Sequence, residues 1–172
     1  MLGNACIKGV FSDQPDAPII ALGASFGKTA RYLDPGRKGA RFSKEGEAHY
    51  IAEIRALAPD LIVLAGFMRI VAEPFIRAFN GRVINLHPSL LPSFTGLDAL
   101  GQAIEAGVRV AGCTVHWVTA ELDAGPIIEQ SAFRVEPGVP RSELETTLRA
   151  AEHAILPDVV RRLSLGALPL PS

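Results

Sequence analysis

The sequence predicts an α/β fold on three observations. Short apolar runs of strand length alternate with segments whose apolar residues recur at helical spacing. One run, Leu61-Ile62-Val63-Leu64-Ala65, is apolar throughout, the pattern of a parallel strand covered on both faces. Gly, Pro, Asn and Asp separate the segments at short intervals, with no internal repeat or low-complexity tract. A length of 172 residues fits one domain. With 48% hydrophobic and 20% charged residues, the chain can build a sizeable core and is not a disordered one.

Taken in order, Ala5 to Phe11 reads as a strand and Ser12 to Asp16 as a turn in which Asp13 or Asp16 can cap a helix. That helix runs from Ala17 to Phe26, weakened by Pro18 and Gly23 and closed by Gly27. Thr29 to Leu33 is a second strand, and Asp34 to Gly39 a loop by its Pro and Gly content. Ser43 is an N-cap for a helix in which Ala48, Ile51, Ala52, Ile54 and Leu57 share a face; His49 in it reads as a surface or boundary residue. After the 61–65 strand, Pro74 starts a short helix that Asn80-Gly81 ends. Arg82 to Leu86 is a strand, and Asp98 caps a helix that Gly107 closes. In the strand Val110 to Val118, Cys113, Val115 and Trp117 fall on one side, and Thr114, His116 and Val118 on the other. His116 reads as a buried, hydrogen-bonded residue rather than a ligand or base. Ile127 to Val135 is a further strand. Pro140 starts the last helix, with a stripe of Leu144, Leu148, Ala151 and Ile155 and an expected kink at Pro157.

Several function classes are excluded by composition. Net charge is −1, from 17 basic and 18 acidic residues, with no basic run. A general nucleic-acid binder needs a basic footprint that is absent here, whereas a small phosphorylated ligand needs only a few placed donors. The two cysteines, Cys6 and Cys113, form neither a CxxC nor a His/Cys cluster, so no disulfide framework and no metal site is expected, and a cytoplasmic location fits. No apolar stretch is long enough to span a membrane, and the start lacks the pattern of a signal peptide, so no membrane partner is expected.

The chemistry concentrates after the 82–86 strand, in Asn85-Leu86-His87-Pro88-Ser89-Leu90-Leu91-Pro92. Residues i and i+2 of a strand point to the same side, so an amide and an imidazole leave the sheet edge together on a mount stiffened by two prolines. Carbonyl chemistry needs a donor for a developing oxyanion and a group that moves a proton, and this stretch offers both. Spacing alone is served equally by a capped strand end carrying an incidental histidine. Gly66-Phe67-Met68-Arg69-Ile70 leaves the C-terminal end of the 61–65 strand, where open α/β sheets bind ligands. It can wall a flat ligand, although spacing favours plain core. Asp123 sits at the turn between two later strands, where a carboxylate can meet His87. Arg149 and Glu152 lie three apart beside the stripe of the last helix, facing one neighbour or forming a surface pair. Ser89 lacks a nucleophile-elbow sequence, and no cysteine is paired with the set. The combination suits direct acyl transfer in which the substrate supplies the nucleophile.

These residues carry a resemblance. Leu64-Ala65-Gly66-Phe67-Met68-Arg69-Ile70, Asn85 to Pro92, Gly112-Cys113-Thr114-Val115-His116, Leu122-Asp123-Ala124-Gly125-Pro126-Ile127-Ile128 and Glu152-His153-Ala154-Ile155-Leu156-Pro157 together resemble the phosphoribosylglycinamide formyltransferases, from about residue 6 to about residue 166. The Asn-x-His-Pro and Leu-Asp-x-Gly-Pro pieces are shared by several formyltransferases; the Ala-Gly-Phe-Met-Arg and Glu-His-x-Ile-x-Pro pieces point to this member. The resemblance implies a Rossmann-like, mostly parallel sheet with helices on both faces and an antiparallel edge. It implies one domain, 1–172, made of an incomplete Rossmann-like half (1–80), a catalytic half (81–166) and a tail (167–172). The activity implied is formyl transfer from 10-formyltetrahydrofolate to glycinamide ribonucleotide in purine biosynthesis, with no metal, by a monomer or homodimer. The implied catalytic residues are Asn85 for the oxyanion, His87 for proton movement and Asp123 pairing with His87. Met68, Arg69, Ile70 and Val71, with Glu121, Leu122 and Ala124, are implied to line the folate pocket, much of it through backbone. Pro88, Arg149 and Glu152 are implied to contact the ribonucleotide.

Formyltetrahydrofolate hydrolase, methionyl-tRNA formyltransferase and a non-catalytic relative are the alternatives. The absence of a regulatory domain, of a C-terminal extension and of basic charge speaks against the first two. Two departures from the pattern stand out. The Ser93-Phe94-Thr95-Gly96-Leu97-Asp98 loop differs locally, where relatives carry Pro before the Gly and His after the Leu. The family's first strand and its Gly-Ser-Gly-Ser-Asn-like phosphate loop have no counterpart here. In the family sheet that strand lies between the equivalents of 5–11 and 61–65, so without it an opening is expected between these two unless another segment or subunit fills the gap.

Overall fold

The computed structural model describes residues 2–171. The first α/β unit is β1 (Gly9–Ser12), α1 (Pro18–Ser25) and β2 (Thr29–Tyr32), with β1 and β2 paired in parallel. Pro18 opens α1, where its missing N–H costs nothing. The expected strand over 5–11 is confined to Gly9–Ser12, because its partner begins opposite Gly9, at Thr29. A hydrogen bond from Asn4 N to Ser164 Oγ (3.1 Å) draws the preceding segment to the end of the last helix instead.

The second unit is α2 (Lys44–Arg55), β3 (Ile62–Ala65), α3 (Glu73–Ala78) and β4 (Val83–His87). Ser43 caps α2 as its sequence predicts, its hydroxyl accepting from Gly46 N at 2.9 Å. β3 and β4 pair in parallel. After α4 (Ala99–Glu105), β5 (Val110–Trp117) and β6 (Ile127–Arg134) extend the sheet antiparallel from β4. The last helix, α5 (Arg141–Ser164), continues through Pro157 as one element.

Strand alternation places two cores on the two faces of the sheet. Val83 joins Tyr50, Ile54, Val71, Phe75, Ile76 and Phe79 in a core beneath α2 and α3. Ile84, Cys113 and Val115 point the other way and meet Leu144, Leu148, Ile155 and Val159 of α5. Asn85, His87, Thr114 and His116 share the face of Val83, because Asn85 lies opposite His116 and His87 opposite Thr114.

β1 pairs with β2, and β3 with β4; among the described residues no ladder joins β1 to β3, which is where the opening was expected. The sequence predicts that β3 is covered on both faces, and here the structure differs. Ile62 and Leu64 pack into the α2/α3 core, while Val63 is 39% exposed and Ala65 is also exposed. The cause is the placement of α5, which packs on β5 and β6. The two sheets are joined by a short seam instead. Arg41 bridges Ile70 in parallel, and Ile70 N donates to Ala40 O at 2.7 Å.

Candidate active site

The C-terminal end of β4 sets the site. Asn85 and His87 leave it on one face, and antiparallel pairing with β5 adds His116 beside Asn85. Both rings are buried. His116 Nδ1 lies 2.9 Å from Trp117 O. A carbonyl only accepts, so that nitrogen carries a proton. Burial pushes the His116 pKa below its ordinary value, outweighing the Trp117 carbonyl and the Asp123 charge, which push the other way. The ring is therefore neutral, and its Nε2 accepts from the Asn85 amide Nδ2 at 3.3 Å. This contact orients the amide nitrogen and leaves its second hydrogen for another acceptor.

Asp123 arrives from the loop between β5 and β6. Its backbone has φ +53°, a left-handed conformation that Asp, like Asn, adopts more readily than most side chains. Gly125 makes the return possible: a Cβ there would stand 1.7 Å from Trp117 O. The loop closes on β5 through Trp117 N donating to Pro126 O at 2.9 Å. Asp123 Oδ2 then lies 3.6 Å from His87 Nδ1 and Oδ1 lies 3.9 Å from His116 Nε2, with the Asp123 side chain 6% exposed. Oδ2 also accepts from Gly96 N at 2.8 Å. His87 Nε2 donates to Phe94 O at 2.9 Å, so Nδ1 is where a proton can be held against the carboxylate or moved.

A second polar layer fixes the loop after His87. Thr114 Oγ1 donates to Ser89 O (2.7 Å) and accepts from Leu91 N (3.1 Å) and Gln130 Nε2 (2.9 Å). Ser89 Oγ donates to Ser93 O at 2.6 Å. The loop carrying Phe94 O and Gly96 N is thus held from β5 and β6.

The structure gathers Asn85, His87 and Asp123 as the sequence suggests and adds His116, whose membership depends on strand register. Its alternation with Thr114 was the one available signal. The residues expected to line the folate pocket separate by side chain. Met68 is 62% exposed at the end of β3, and Leu122 is 52% exposed beside Asp123, with Glu121 and Ala124 also at the surface. Val71 lies in the α2/α3 core, and Ile70 is half-buried on the seam. The Arg69 guanidinium is turned inward onto Asp13, 2.7 Å away, and onto Gly39 O, 2.6 Å away. Arg69 and Val71 accordingly have only backbone to offer a ligand.

A model of the formyl transferase family matches residues 3–160. The phosphoribosylglycinamide formyltransferase of Bacillus subtilis is 38% identical over 151 residues, covering 88% of this chain and 76% of that protein. The chain belongs to the formyl transferase family, among the phosphoribosylglycinamide formyltransferases. The Escherichia coli relative of the same name is 37% identical over 164 residues, covering 95% of this chain and 76% of its own. The crystal structure of glycinamide ribonucleotide transformylase 1 from Symbiobacterium toebii superposes with a TM-score of 0.88 at 41% identity, over 96% of this chain and 77% of that one.

In this formyltransferase, Arg149 and Glu152 lie apart from the cluster. They project from α5, which packs on the sheet face opposite Asn85 and His87. Arg149 is exposed and Glu152 half-buried. Burial raises the Glu152 pKa, against the pull of His153 and Arg149. Burial, with help from the Glu152 charge, pushes the Cys113 thiol up to about 11. Pro88 is half-buried at the head of the loop that Thr114 holds.

Proposed function

We propose that this chain transfers a formyl group from 10-formyltetrahydrofolate to the amine of glycinamide ribonucleotide. The observation that carries the reading is the convergence of His87 and His116 on Asp123, with the Asn85 amide against His116, at one strand end. Membership of the formyltransferase family supports a folate-type formyl donor. The exposed apolar side chains of Met68 and Leu122 at this end of the sheet suit a flat, largely apolar ring.

In this reading the substrate amine bonds to the formyl carbon as the bond from that carbon to the folate nitrogen breaks. Asn85, its amide oriented by neutral His116, donates to the formyl oxygen as negative charge builds there. The amine must lose one proton and the folate nitrogen must gain one. His87 moves that proton at Nδ1 while Phe94 O holds its other nitrogen, and Asp123 stabilises the ring whenever it is charged. Glu152 and Arg149, with Pro88, contact the ribonucleotide away from the reacting atoms. We take the reaction to run in a reducing cytoplasm, where the thiols of Cys6 and Cys113 would stay reduced.

A steady-state assay with both substrates tests this. We expect turnover, and a kcat about 100-fold lower or more in His87→Ala, the usual cost of losing a general acid/base. Folded protein without turnover, or a His87→Ala variant with unchanged kcat, refutes the reading.

A further inference from the structure

The loop Ser93–Asp98 contributes two contacts to the reacting pair: Phe94 O accepts from His87, and Gly96 N donates to Asp123. Its backbone does not hold that shape unaided. Phe94 has φ +57°, a left-handed conformation that a bulky residue keeps only when its surroundings impose it, and Asp98, at φ +51°, takes the same region at the other end of the loop. The Gln102 side chain secures the middle, donating to Thr95 O (3.0 Å) and Leu97 O (2.9 Å).

The far end is held by charge. Arg141 grips Asp98 with both terminal nitrogens, Nη2 to Oδ1 at 2.7 Å and Nη1 to Oδ2 at 3.3 Å. Arg141 Nε is itself braced by Glu145 one turn on, at 2.8 Å. Asp98 still accepts from Gly101 N to cap α4. Arg141 opens α5, the helix anchored by Leu144 and Leu148 in the core. The pair thus ties a strained loop to the longest rigid element of the fold, and its fork geometry is the strongest form such a contact takes.

We propose that Arg141 is a positioning residue for formyl transfer: through Asp98 it straps the 93–98 loop so that Phe94 O and Gly96 N stay engaged with His87 and Asp123. The catalytic half of this proposal rests on the reading given under Proposed function. The strap itself does not.

Arg141→Gln and Asp98→Asn test it, since Asn keeps the α4 cap and tolerates the left-handed backbone. Both Asp98 and Arg141 are more than half exposed, so the pair is screened by salt and the effect is modest. Each variant should lower kcat by about three-fold, with the KM of both substrates unchanged and the double variant no worse than either single one. Arg141→Lys, which keeps the charge but not the fork, should recover only part of the loss. Raising NaCl to about 1 M should bring wild-type kcat toward that of Arg141→Gln. Independently of substrate, exchange of the Gly96 amide hydrogen, followed by NMR, should speed up about three-fold in Arg141→Gln. Unchanged Gly96 exchange in both variants overturns the strap. Faster exchange with unchanged kcat overturns the positioning role. If the wild type shows no formyl transfer at all, the functional reading has failed, and Gly96 exchange alone still decides the strap.

Discussion

Replacing Arg69 with methionine keeps an apolar stem against Phe42 and removes a guanidinium that the fold has nearly enclosed. The Arg69 side chain is 8% exposed and that of Asp13 12%, with Nε and Oδ2 2.7 Å apart. Removing one partner of a buried pair costs about 3–5 kcal/mol, because the other charge stays behind. Asp13 retains a long contact with Gln14 Nε2 at 3.3 Å and a little solvent, so the low end applies, about 3 kcal/mol. The carbonyls of Arg37, Gly39 and Arg41 also lose a donor, but they sit on an exposed loop where water replaces it. Loss of the guanidinium over the Phe42 ring, 5.7 Å from its centroid, adds about 0.5 kcal/mol. At about 2–4 °C per kcal/mol for a chain of this size, Tm should fall by roughly 6–14 °C. Asp13→Asn should cost less, about 1–2 kcal/mol, because the guanidinium keeps its carbonyls. The double variant should fall short of the sum by more than about 1 kcal/mol. Urea unfolding, with equal m-values across the set, measures all three. A cost below about 1 kcal/mol for Arg69→Met would show that the guanidinium does not hold the two sheets together.

Two further outcomes follow from the site. Because His116 has a depressed folded pKa, the unfolded chain takes up a proton near pH 6.5 while the folded one does not, so stability is full above about pH 6.5 and falls below it. In His116→Gln that component, at most about 1.4 kcal/mol per pH unit, should vanish; parallel urea midpoints for wild type and variant between pH 6.5 and 5 would contradict the assignment. Gly125→Ala puts a methyl group 1.7 Å from the Trp117 carbonyl oxygen, which is backbone and cannot yield. The loop must lift and take Asp123 with it, costing about 1–3 kcal/mol and most of the activity; wild-type kcat in this variant would mean that Asp123 need not be held over His87.

What could be read in the sequence is what depends on near neighbours. The two-residue period puts Asn85 and His87 on one face of their strand, and separates Cys113 and Val115 from Thr114 and His116 within theirs, because a strand permits nothing else. The turn position of Asp123 allowed a meeting with His87, but how the loop achieves it, with Gly125 letting the chain fold back onto Trp117, was not visible in the sequence. What long-range register decides was not legible. His116 enters the site because Asn85 lies opposite it across thirty-one positions of sequence. Arg69 turns inward because Asp13, fifty-six positions earlier, is there to receive it.

The same distinction accounts for the exposed face of β3. An all-apolar run reports that a strand can be covered on both faces, but it says nothing of which element does the covering. Ile62 and Leu64 find a cover in the α2/α3 core, whereas Val63 and Ala65 face the side on which α5 packs β5 and β6. The reacting centre escapes this uncertainty because β4, β5 and β6 are neighbours within one sheet, so Asn85, His87 and His116 meet across a direct ladder. The seam between the sheets has no such constraint. There the Arg69–Asp13 pair and the Ala40–Ile70 contact supply what a shared ladder would have supplied, and so stability is expected to be most sensitive at Arg69, while chemistry is most sensitive at His87.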